Sequence, residues 1–323
     1  MLGIVREWSA YFVLLCVASS PPVWTAVASA EEPLEPDPVV QAEEVVVSAT
    51  KTPLPVSQVT SAVEVITSQD MKKQNIRNVA DALRLAQGLA VFSNGGPGTE
   101  VNARIRGGSS SQTLVLIDGA IVNSGTLGSY NFANLTTDNI ERVEVLRGAQ
   151  SMLWGSDAMG GVINIVTKRG QGPLSATGFM EYGSFASLRE GGMVSGKQGA
   201  VDYSFSLSRW DTSSFSAVNY RRGASERDSY RNWQGSGRIG VDLPKDGRLD
   251  FTMRWMNSDV QLDSVSATSP SDVYGSKNRS QEYVFSGSYE QPLTGWWSQK
   301  LTLARAQGAS QFLSGTLQRS LIT

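Results

Sequence analysis

The feature that most constrains the fold is an alternation of apolar with polar or small residues along the second half of the chain. A period of two places successive side chains on opposite faces of a β-strand, so each run predicts a strand with one apolar face. No apolar run in this half reaches the about 20 residues that a membrane-spanning helix needs. The apolar residues of the three clearest runs are Val201, Tyr203, Phe205 and Leu207, then Ile239, Val241 and Leu243, then Leu249, Phe251, Met253 and Trp255.

The connections between these strands decide between a soluble β-sandwich and a membrane β-barrel, which share this alternation. Tight turns at 197–200, 244–247 and 291–295 alternate with long polar segments at 211–229 and 257–280. Short turns on one side and long loops on the other are typical of outer-membrane barrels, whose short turns are periplasmic. The sequence therefore favours an antiparallel transmembrane β-barrel. Aromatic residues near the expected strand ends, where a membrane interface favours them, are Trp210, Tyr230, Trp255, Trp296 and Trp297.

Composition argues against several classes of function. The 323 residues carry a formal net charge of −2, one cysteine and no histidine. Without histidine the chain lacks a Ser-His-Asp or Cys-His catalytic site and a histidine-ligated zinc or haem. Cys16 alone forms neither a disulfide scaffold nor a cysteine metal site, and a charge near zero argues against nucleic-acid binding. We therefore expect neither an enzyme nor a nucleic-acid-binding protein.

The N-terminus has the pattern of a secretory signal peptide. Arg6 precedes a short apolar run at 11–18, and Ala28-Ser29-Ala30 offers small residues for cleavage. The apolar run is too short for a membrane anchor, which needs about 20 residues. We expect residues 1–30 to be removed and the protein to leave the cytoplasm.

A short extended segment follows a linker. Residues 31–42 hold three prolines and four acidic residues, a composition that predicts disorder. Three consecutive valines then favour extended backbone. Two interpretations stay open for this segment: the first strand of the next domain, or a strand kept available for addition to the sheet edge of a partner. Its residues are Glu43, Glu44, Val45, Val46, Val47, Ser48 and Ala49.

Residues 50–170 predict a small α+β domain. A strand that ends at Thr67-Ser68 leads into a helix, and Asn78 is placed to cap a second helix that Gly88 ends. Two glycine-rich loops lie at 93–98 and 123–131, between strand-like runs. Glycine allows tight turns and a close approach of the backbone to a ligand. By itself this domain predicts a binding module.

Four motifs occur in order in this domain, and they are Ile105-Arg106-Gly107, Leu116-Ile117-Asp118-Gly119, Val145-Leu146-Arg147-Gly148 and Trp154-Gly155-Ser156-Asp157-Ala158-Met159-Gly160-Gly161-Val162-Ile163-Asn164-Ile165. Together with the extended segment they resemble the plug domain of TonB-dependent outer-membrane receptors. The resemblance covers residues 43–170. Within the family, the plug pattern is most similar to the cobalamin receptor subfamily, with catecholate siderophore and haem receptors as close relatives. The resemblance implies an α+β plug domain followed by the antiparallel transmembrane strands of a 22-stranded β-barrel.

The resemblance implies a function in the bacterial outer membrane. Receptors of this family take up a scarce large solute, such as cobalamin, haem or a ferric siderophore, and TonB with its inner-membrane complex supplies the energy. Residues 43–49 correspond to the TonB box, to which TonB adds by main-chain pairing. The implied partners are TonB, the metal-chelate solute and outer-membrane lipid. Two other classes stay open: a non-transporting surface receptor (adhesin, colicin or phage receptor), and a regulatory transducer, which needs a further domain before residue 43.

Two arginines of the motifs, Arg106 and Arg147, correspond to a latch that pairs plug arginines with barrel glutamates. A planar guanidinium holds two carboxylate oxygens at once, which suits a defined release. We expect the partner glutamates beyond residue 323; the alternative is an ordinary ion pair on the plug surface. Asp118 is expected to form a turn with Gly119 rather than to bind ligand.

Ligand contacts are expected in the two glycine-rich loops. The residues placed to hydrogen-bond a solute are Ser93, Asn94, Ser124, Thr126 and Tyr130. The alternative is that these loops only seal the lumen. In the cobalamin receptor, calcium bound by acidic loop residues orders the site. The corresponding loop here contains Glu226, Arg227 and Asp228 without an acidic cluster, so neither calcium nor another cofactor is predicted.

A G-x-G-x-x-G match at residues 235–240, with Asp259 nearly twenty residues on, indicates dinucleotide binding only where the loop follows a strand and opens a helix. Here it lies within an alternating run, so we expect a strand.

The chain is shorter than the implied architecture. At about 20 residues per strand and connection, 22 strands need roughly 440 residues, whereas 153 residues follow position 170 of 323. Six strands fit between 176 and 290, with one or two after them. We therefore expect an incomplete barrel, from a fragment or from a prematurely ended product.

Overall fold

The computed structural model describes residues 45–46, 51, 54–59, 61–216, 227–262, 276–294, 296–313 and 319–322. These residues fall into a first domain, called the plug here (described residues 45–170), and an antiparallel sheet, called the barrel wall (described residues 175–322). The expected signal peptide at 1–30 and the expected linker at 31–42 lie outside the described residues.

The plug combines short strands and helices, so the expected α+β class is confirmed. Its strands are β1 (Val45–Val46), β2 (Leu54–Pro55), β3 (Ala62–Thr67), β4 (Leu89–Ser93), β5 (Val101–Ile105), β6 (Thr113–Ile117), β7 (Ala120–Ile121), β8 (Ile140–Arg147) and β9 (Gly161–Thr167). Its helices are α1 (Ser68–Lys73), α2 (Val79–Leu83) and α3 (Ser151–Trp154). Strands β3, β8, β9, β6 and β7 form one sheet in that order, while β4 pairs with β5 and β1 with β2.

Strand β6 is buried along its whole length and separates two apolar clusters. Val115 belongs to the larger cluster, with Leu83 of α2 and Phe132. Leu116, which points to the opposite face, belongs to the smaller cluster with Val46. A strand covered on both faces has a continuous apolar sequence, which explains the unbroken run at 114–117.

Helix α1 begins where the sequence predicts. The hydroxyl of Thr67 accepts a hydrogen bond from the Asp70 backbone N at 3.2 Å, and the Asp70 carboxylate accepts one from the Thr67 backbone N at 3.1 Å, which completes a capping box. The hydrogen bonds from Thr67 lower the pKa of Asp70. The expectation for α2 was wrong in two respects, because Asn78 stands at its N-cap without a capping side-chain bond and the helix ends at Leu83, before Gly88. The start of α2 is instead held by backbone, since Val79 N donates to Leu135 O at 2.9 Å.

We expect Thr67→Ala to weaken helix α1 by about 1 kcal/mol, because it removes the capping hydroxyl. Hydrogen exchange of the peptide over residues 62–74 measures the local opening and should become faster. The contribution of the ionised Asp70 is present above the unfolded carboxyl pKa of about 3.9 and is lost as pH falls through its lowered folded-state pKa, so the difference between wild type and variant should shrink as Asp70 becomes protonated in the folded state. Ser68→Ala, which removes no capping bond, is the control; equal exchange in the two variants would contradict this prediction.

The barrel wall is a single antiparallel sheet of eight described strands, ordered as they are in the chain. The strands are β10 (Ser175–Gly183), β11 (Ser187–Gln198), β12 (Val201–Thr212), β13 (Tyr230–Leu243), β14 (Gly247–Gln261), β15 (Lys277–Thr294), β16 (Trp297–Leu313) and β17 (Arg319–Ile322). The six strands expected up to residue 290 are confirmed, and two more follow them. In the described part of the chain the sheet is open, with β10 and β17 at its edges. None of the helices in the described ranges is long and apolar enough to span a membrane.

The two faces of the barrel wall differ in chemistry. Phe205 and Phe251 on one face are 47% and 51% exposed. Their chain neighbours Ser204 and Thr252 point to the other face and are 0% and 8% exposed. An apolar face outside and a polar face inside is the arrangement of an outer-membrane barrel and the reverse of a soluble sandwich. The barrel interpretation of the alternation is therefore confirmed.

Two strands extend further toward the long loops than the sequence predicts. Strand β14 continues to Gln261 and β15 begins at Lys277, although 257–280 was expected to be a loop. The ion pair between Arg279 Nε and Asp259 Oδ1, at 2.6 Å, lies within this extension. Strand pairing depends on main-chain hydrogen bonds, so it continues beyond the apolar band on which the sequence prediction rested.

The G-x-G-x-x-G match lies inside strand β13, so no helix opens after it, and the expectation of a strand is confirmed. Gly237 leaves room for the ring of Phe205, which lies 3.0 Å from where a Cβ would be. Gly240 leaves room for the ion pair between Arg248 and Asp202, whose atoms are 2.8 Å apart. These glycines serve side-chain packing across neighbouring strands.

We expect Gly240→Ala to destabilise the barrel wall by about 1–3 kcal/mol through overpacking. The added methyl would lie 2.7 Å from Asp202 Oδ2 and in contact with the Arg248 guanidinium. The thermal midpoint of the full-length protein in detergent micelles measures this loss. Gly287→Ala on β15 is the matched control, because a Cβ there meets nothing within 4 Å. Equal midpoints for the two variants would show that the explanation for Gly240 is wrong.

Candidate functional site

The contact between the plug and the barrel wall forms the candidate site, and one part of it is the hairpin between β6 and β7. Asp118 and Gly119 have positive φ angles of 48° and 83°, which confirms the expected turn. The Asp118 carboxylate accepts hydrogen bonds from Thr167, at 3.0 Å from its backbone N and 2.7 Å from its Oγ1. The Asp118 carbonyl accepts a third from Ser286 Oγ of β15, at 3.2 Å. The turn therefore carries both a carboxylate and a carbonyl to the wall.

Arg238 of β13 is the barrel residue that meets this carboxylate. Its guanidinium lies 3.5 Å from Asp118 Oδ1 and 3.1 Å from Asp250 Oδ1, and its side chain is 6% exposed. Arg248 also pairs with Asp250, at 2.8 Å. Removing a charge from water costs several kcal/mol unless the charge is paired. The plug carboxylate of Asp118 and the wall guanidinium of Arg238 therefore partly neutralise each other at this buried contact.

A second part of the contact is centred on Asn134, which is buried. Tyr230 Oη donates to Asn134 Oδ1 at 3.0 Å. The side-chain amides of Asn232 and Gln234 both donate to the Asn134 carbonyl, at 3.0 and 2.6 Å. The three donors alternate along β13 and so lie on one face of the strand. One plug residue is thus held by three side chains of one barrel strand.

Tyr130 lies close to this region, and its role in solute binding stays a prediction. It was expected to hydrogen-bond a solute, but its side chain is buried, and its hydroxyl donates to Glu282 Oε1 of β15 at 3.2 Å. Its ring meets Phe132 edge-on at 5.0 Å. Burial raises the pKa of Tyr130 well above its usual value, so the phenol stays a neutral donor. Burying an aromatic ring is favourable, and that gain draws this end of the loop toward the wall.

A third part of the contact lies beside helix α1. Arg77 Nη2 pairs with Glu181 Oε1 of β10 at 2.7 Å. Arg189 of β11 pairs with Glu181 Oε2 at 3.1 Å and also with Asp138 of the plug. Arg77 is therefore a plug arginine that pairs with a barrel glutamate, which is the arrangement expected for Arg106 and Arg147.

The two arginines expected to form the latch have different surroundings. Arg147 Nη1 donates to Gln87 O at 2.7 Å and lies 3.5 Å from Glu64 Oε2, both within the plug. Arg106 is exposed and has a φ angle of 49°. Among the described residues neither arginine pairs with a barrel carboxylate. Arg147 here follows the alternative interpretation, an ion pair within the plug; pairing with residues beyond 323 stays a prediction.

The first glycine-rich loop lies on the long-loop side of the wall, where Gly98 faces the ring of Tyr230. Ser93 and Asn94 are exposed. Ser93 Oγ donates to Gly95 O at 3.0 Å, and Asn94 Nδ2 donates to Glu100 Oε2 at 3.1 Å. These bonds stay within the loop and leave both side chains accessible.

The second glycine-rich loop is braced by Asn123, whose Oδ1 accepts from Val115 N at 2.7 Å. Ser124 is half-buried, and its Oγ accepts from the backbone N of Thr126 at 3.3 Å. Thr126 itself is exposed. Of the five residues expected to contact solute, only Tyr130 is buried, and the role of all five stays a prediction. Glu226, which was weighed for calcium, lies outside the described residues, and those residues contain no cluster of acidic or cysteine side chains suited to a metal.

The described part of the expected TonB box is strand β1. Val45 pairs with Pro55 and Val46 with Leu54, and Val46 is fully buried in the smaller apolar cluster. Proline has no backbone N–H, so this two-residue pairing contains few hydrogen bonds. Residues 43, 44 and 47–49 lie outside the described residues. In this structure the segment pairs with its own plug, and its addition to a partner stays a prediction.

The comparisons with known proteins agree with this architecture. Residues 55–162 match the model of the TonB-dependent receptor plug domain. The chain therefore carries a TonB-dependent receptor plug domain followed by antiparallel barrel strands, and it is similar to TonB-dependent receptors. Among its relatives is the vitamin B12 transporter BtuB of Photobacterium profundum, 36% identical over 154 residues, which are 48% of this chain and 25% of the relative. BtuB of Vibrio cholerae is 34% identical over 161 residues, 50% of this chain and 24% of the relative.

Solved structures show the same fold at lower identity. The ferripyoverdine receptor of Pseudomonas aeruginosa superposes with a TM-score of 0.70 at 20% identity, over 83% of this chain and 37% of that one. The siderophore receptor PiuA of Acinetobacter baumannii superposes with a TM-score of 0.65 at 19% identity, over 80% and 38%. The matched part spans about a quarter of the length of the curated relatives. These relatives are named as receptors and transporters, and the receptors of this class are outer-membrane β-barrels.

Most residues that join plug and wall were not predicted from the sequence. Arg77, Asn134, Arg238 and Glu282 were not singled out, although all of them take part in the contact. One signal was available for Arg238: it alternates with the apolar residues Ile239 and Val241, on a strand face whose other side chains are mostly polar. Arginine is almost never buried without a partner, so its position on the inner face predicts a carboxylate opposite it.

Proposed function

We propose that the full-length protein imports a scarce metal chelate across the bacterial outer membrane, with energy supplied through TonB. The observation that carries this proposal is the buried, paired contact between the plug and the inner face of the wall, represented by Arg238 with Asp118. A plug held by desolvated ion pairs resists displacement, because leaving one charge of such a pair buried without its partner costs about 3–5 kcal/mol. A solute must therefore bind outside first, and work must be done on the plug to let it pass.

The proposed point of force is the TonB box at residues 43–49. Among the described residues of this segment, Val45 and Val46 pair with β2, and a partner strand would displace this pairing. Strand addition relies on main-chain hydrogen bonds, and these tolerate Ser48 in a segment of otherwise apolar and acidic residues. We propose that solute binding shifts Val46 from its buried position toward a state that TonB can pair with.

Cobalamin is the proposed solute, and ferric siderophores and haem are the alternatives. The relatives at 34–36% identity are named as vitamin B12 transporters. The siderophore receptors are 17–23% identical, which supports a shared fold and does not discriminate solutes. The exposed loop residues Ser93, Asn94 and Thr126, with half-buried Ser124, are the proposed contacts.

Equilibrium binding to the full-length protein in detergent tests the choice of solute. Cyanocobalamin, haemin and a ferric catecholate siderophore are titrated separately, and tight saturable binding of cyanocobalamin alone is expected. Tight binding of the siderophore without cyanocobalamin would reverse the order of solutes. Binding of none of the three would favour a surface receptor without a transport role.

A further inference from the structure

A cavity of about 270 Å³ lies between the plug and the barrel wall, beside the ion pairs of Arg77 and Arg189. Helix α1 and the segment at residues 76–77 line its plug side, and strands β10, β11 and β12 line its wall side. A single water needs about 15 Å³ of such space, so the cavity has room for several waters or a small ion.

The side chains around this cavity are unbalanced in charge. Four cationic side chains line it, those of Lys72, Arg77, Lys168 and Arg189, whereas the carboxylates are those of Asp138 and Glu181. The two arginines already pair with the two carboxylates. Lys168 Nζ donates to the backbone carbonyl of Asp138 at 2.7 Å, and neither lysine has a described carboxylate within 4 Å. Two positive charges are therefore left without an ion-pair partner in the described part of the chain.

Arg189 supplies an independent observation that points to an anion site. It is 8% exposed and lines the cavity, yet its Nε has no hydrogen-bond partner among the described residues. The flat face of its guanidinium lies 4.5 Å from the ring centre of Phe179, so that face is already occupied. A buried donor left without an acceptor costs about 1–3 kcal/mol, and more when it is charged. An acceptor in the cavity would remove that cost.

The electrostatics of Lys168 agree with this geometry. Burial, and after it repulsion from Lys72, lower the pKa of the Lys168 ammonium. Both effects disfavour a second positive charge in this space, and a negative ion placed there would relieve them.

We propose that this cavity is an oxyanion site that takes a phosphate-type group. An oxyanion there accepts from Arg189 of the wall and balances Lys72 and Lys168 of the plug, so it bridges the two parts of the molecule. Two sources share this chemistry: free phosphate, and the phosphodiester of a transported solute such as cobalamin. The second source rests on the proposed function.

Binding of inorganic phosphate to the full-length protein in detergent micelles tests the site. Equilibrium dialysis with radiolabelled phosphate should show one saturable site per protein, and crystals soaked in selenate should show an anomalous peak beside Arg189. The variant Lys72→Gln/Lys168→Gln should weaken binding at least tenfold. Lys73→Gln is the matched control, because Lys73 is on the same helix but does not line the cavity.

The possible outcomes distinguish free phosphate from a phosphodiester as the bound group, and some of them would overturn the proposed site. Competition by dimethyl phosphate would assign the site to a phosphodiester, and competition by phosphate alone would assign it to a free anion. Absence of saturable binding, or equal loss in the double variant and in Lys73→Gln, would overturn the proposal. Because no solute is present in this assay, its failure is distinguishable from a failure of cobalamin uptake.

Discussion

Deletion of residues 43–49 from the full-length protein is expected to abolish energy-dependent solute uptake and to leave equilibrium solute binding unchanged. The segment is the proposed binding site of TonB, whereas the loops proposed to contact solute lie on the long-loop side of the molecule. Uptake of labelled cyanocobalamin by cells, with and without an uncoupler of the proton-motive force, measures the first quantity. Binding to purified protein measures the second.

A point substitution separates the backbone of this segment from its side chain. Val46→Pro removes one backbone N–H and so blocks main-chain pairing with a partner strand; its uptake should fall nearly as far as that of the deletion. Val46→Ile keeps the backbone and adds one methylene to a buried position, so its uptake should stay close to wild type. Wild-type uptake in the deletion or in the proline variant would contradict the proposal that TonB binds residues 43–49.

Replacement of Arg238 by alanine is expected to loosen the plug by at least 3 kcal/mol. The substitution leaves Asp118 and Asp250 without this cation at a buried contact, and removing one partner of a buried pair costs about 3–5 kcal/mol. At about 1.4 kcal/mol per tenfold, protected amides of the β6–β7 hairpin should exchange roughly a hundred times faster or more. Hydrogen exchange of the peptide over residues 113–121 in the full-length protein measures this effect.

Arg231→Ala is the matched control for Arg238→Ala. Both arginines are on β13 and pair with an aspartate, but the Arg231 side chain is 60% exposed and its partner Asp211 is also on the wall. An exposed pair contributes about 0–1 kcal/mol, so plug exchange in this control should match wild type. Similar exchange in both variants would mean that Arg238 does not hold the plug.

The architecture of the chain was predictable because side-chain alternation and short sequence motifs, which are local patterns, indicate it. The alternation through Val201–Thr212 and the following strands predicted their pairing and their apolar outer face, both of which the structure has. The plug motifs predicted the Asp118 turn, since two successive residues with positive φ favour Asp-Gly. Strand ends were less predictable, because main-chain pairing through 257–261 and 277–280 continues where side-chain periodicity ends.

The candidate site was predictable only in part. The exposed positions of Ser93, Asn94 and Thr126 agree with expectation, whereas Tyr130 is buried against Glu282. Tyr130 and Glu282 are 152 positions apart, and no local pattern reports which barrel residue will face a given loop. Arg77 and Glu181 are also far apart along the chain, which is why their ion pair was not predicted from the sequence.

By itself, the sequence determined the two-part architecture and the chemistry of each strand face, because side-chain periodicity is a property of neighbouring residues. Only the tertiary structure decided which charges meet across the plug and the wall, that Val46 is buried in its own molecule, and that a cavity with excess positive charge lies beside Arg189. Those properties depend on the register and curvature of a sheet folded around a second domain. They arise from contacts between distant segments, which hydrophobic and backbone preferences along the chain do not encode.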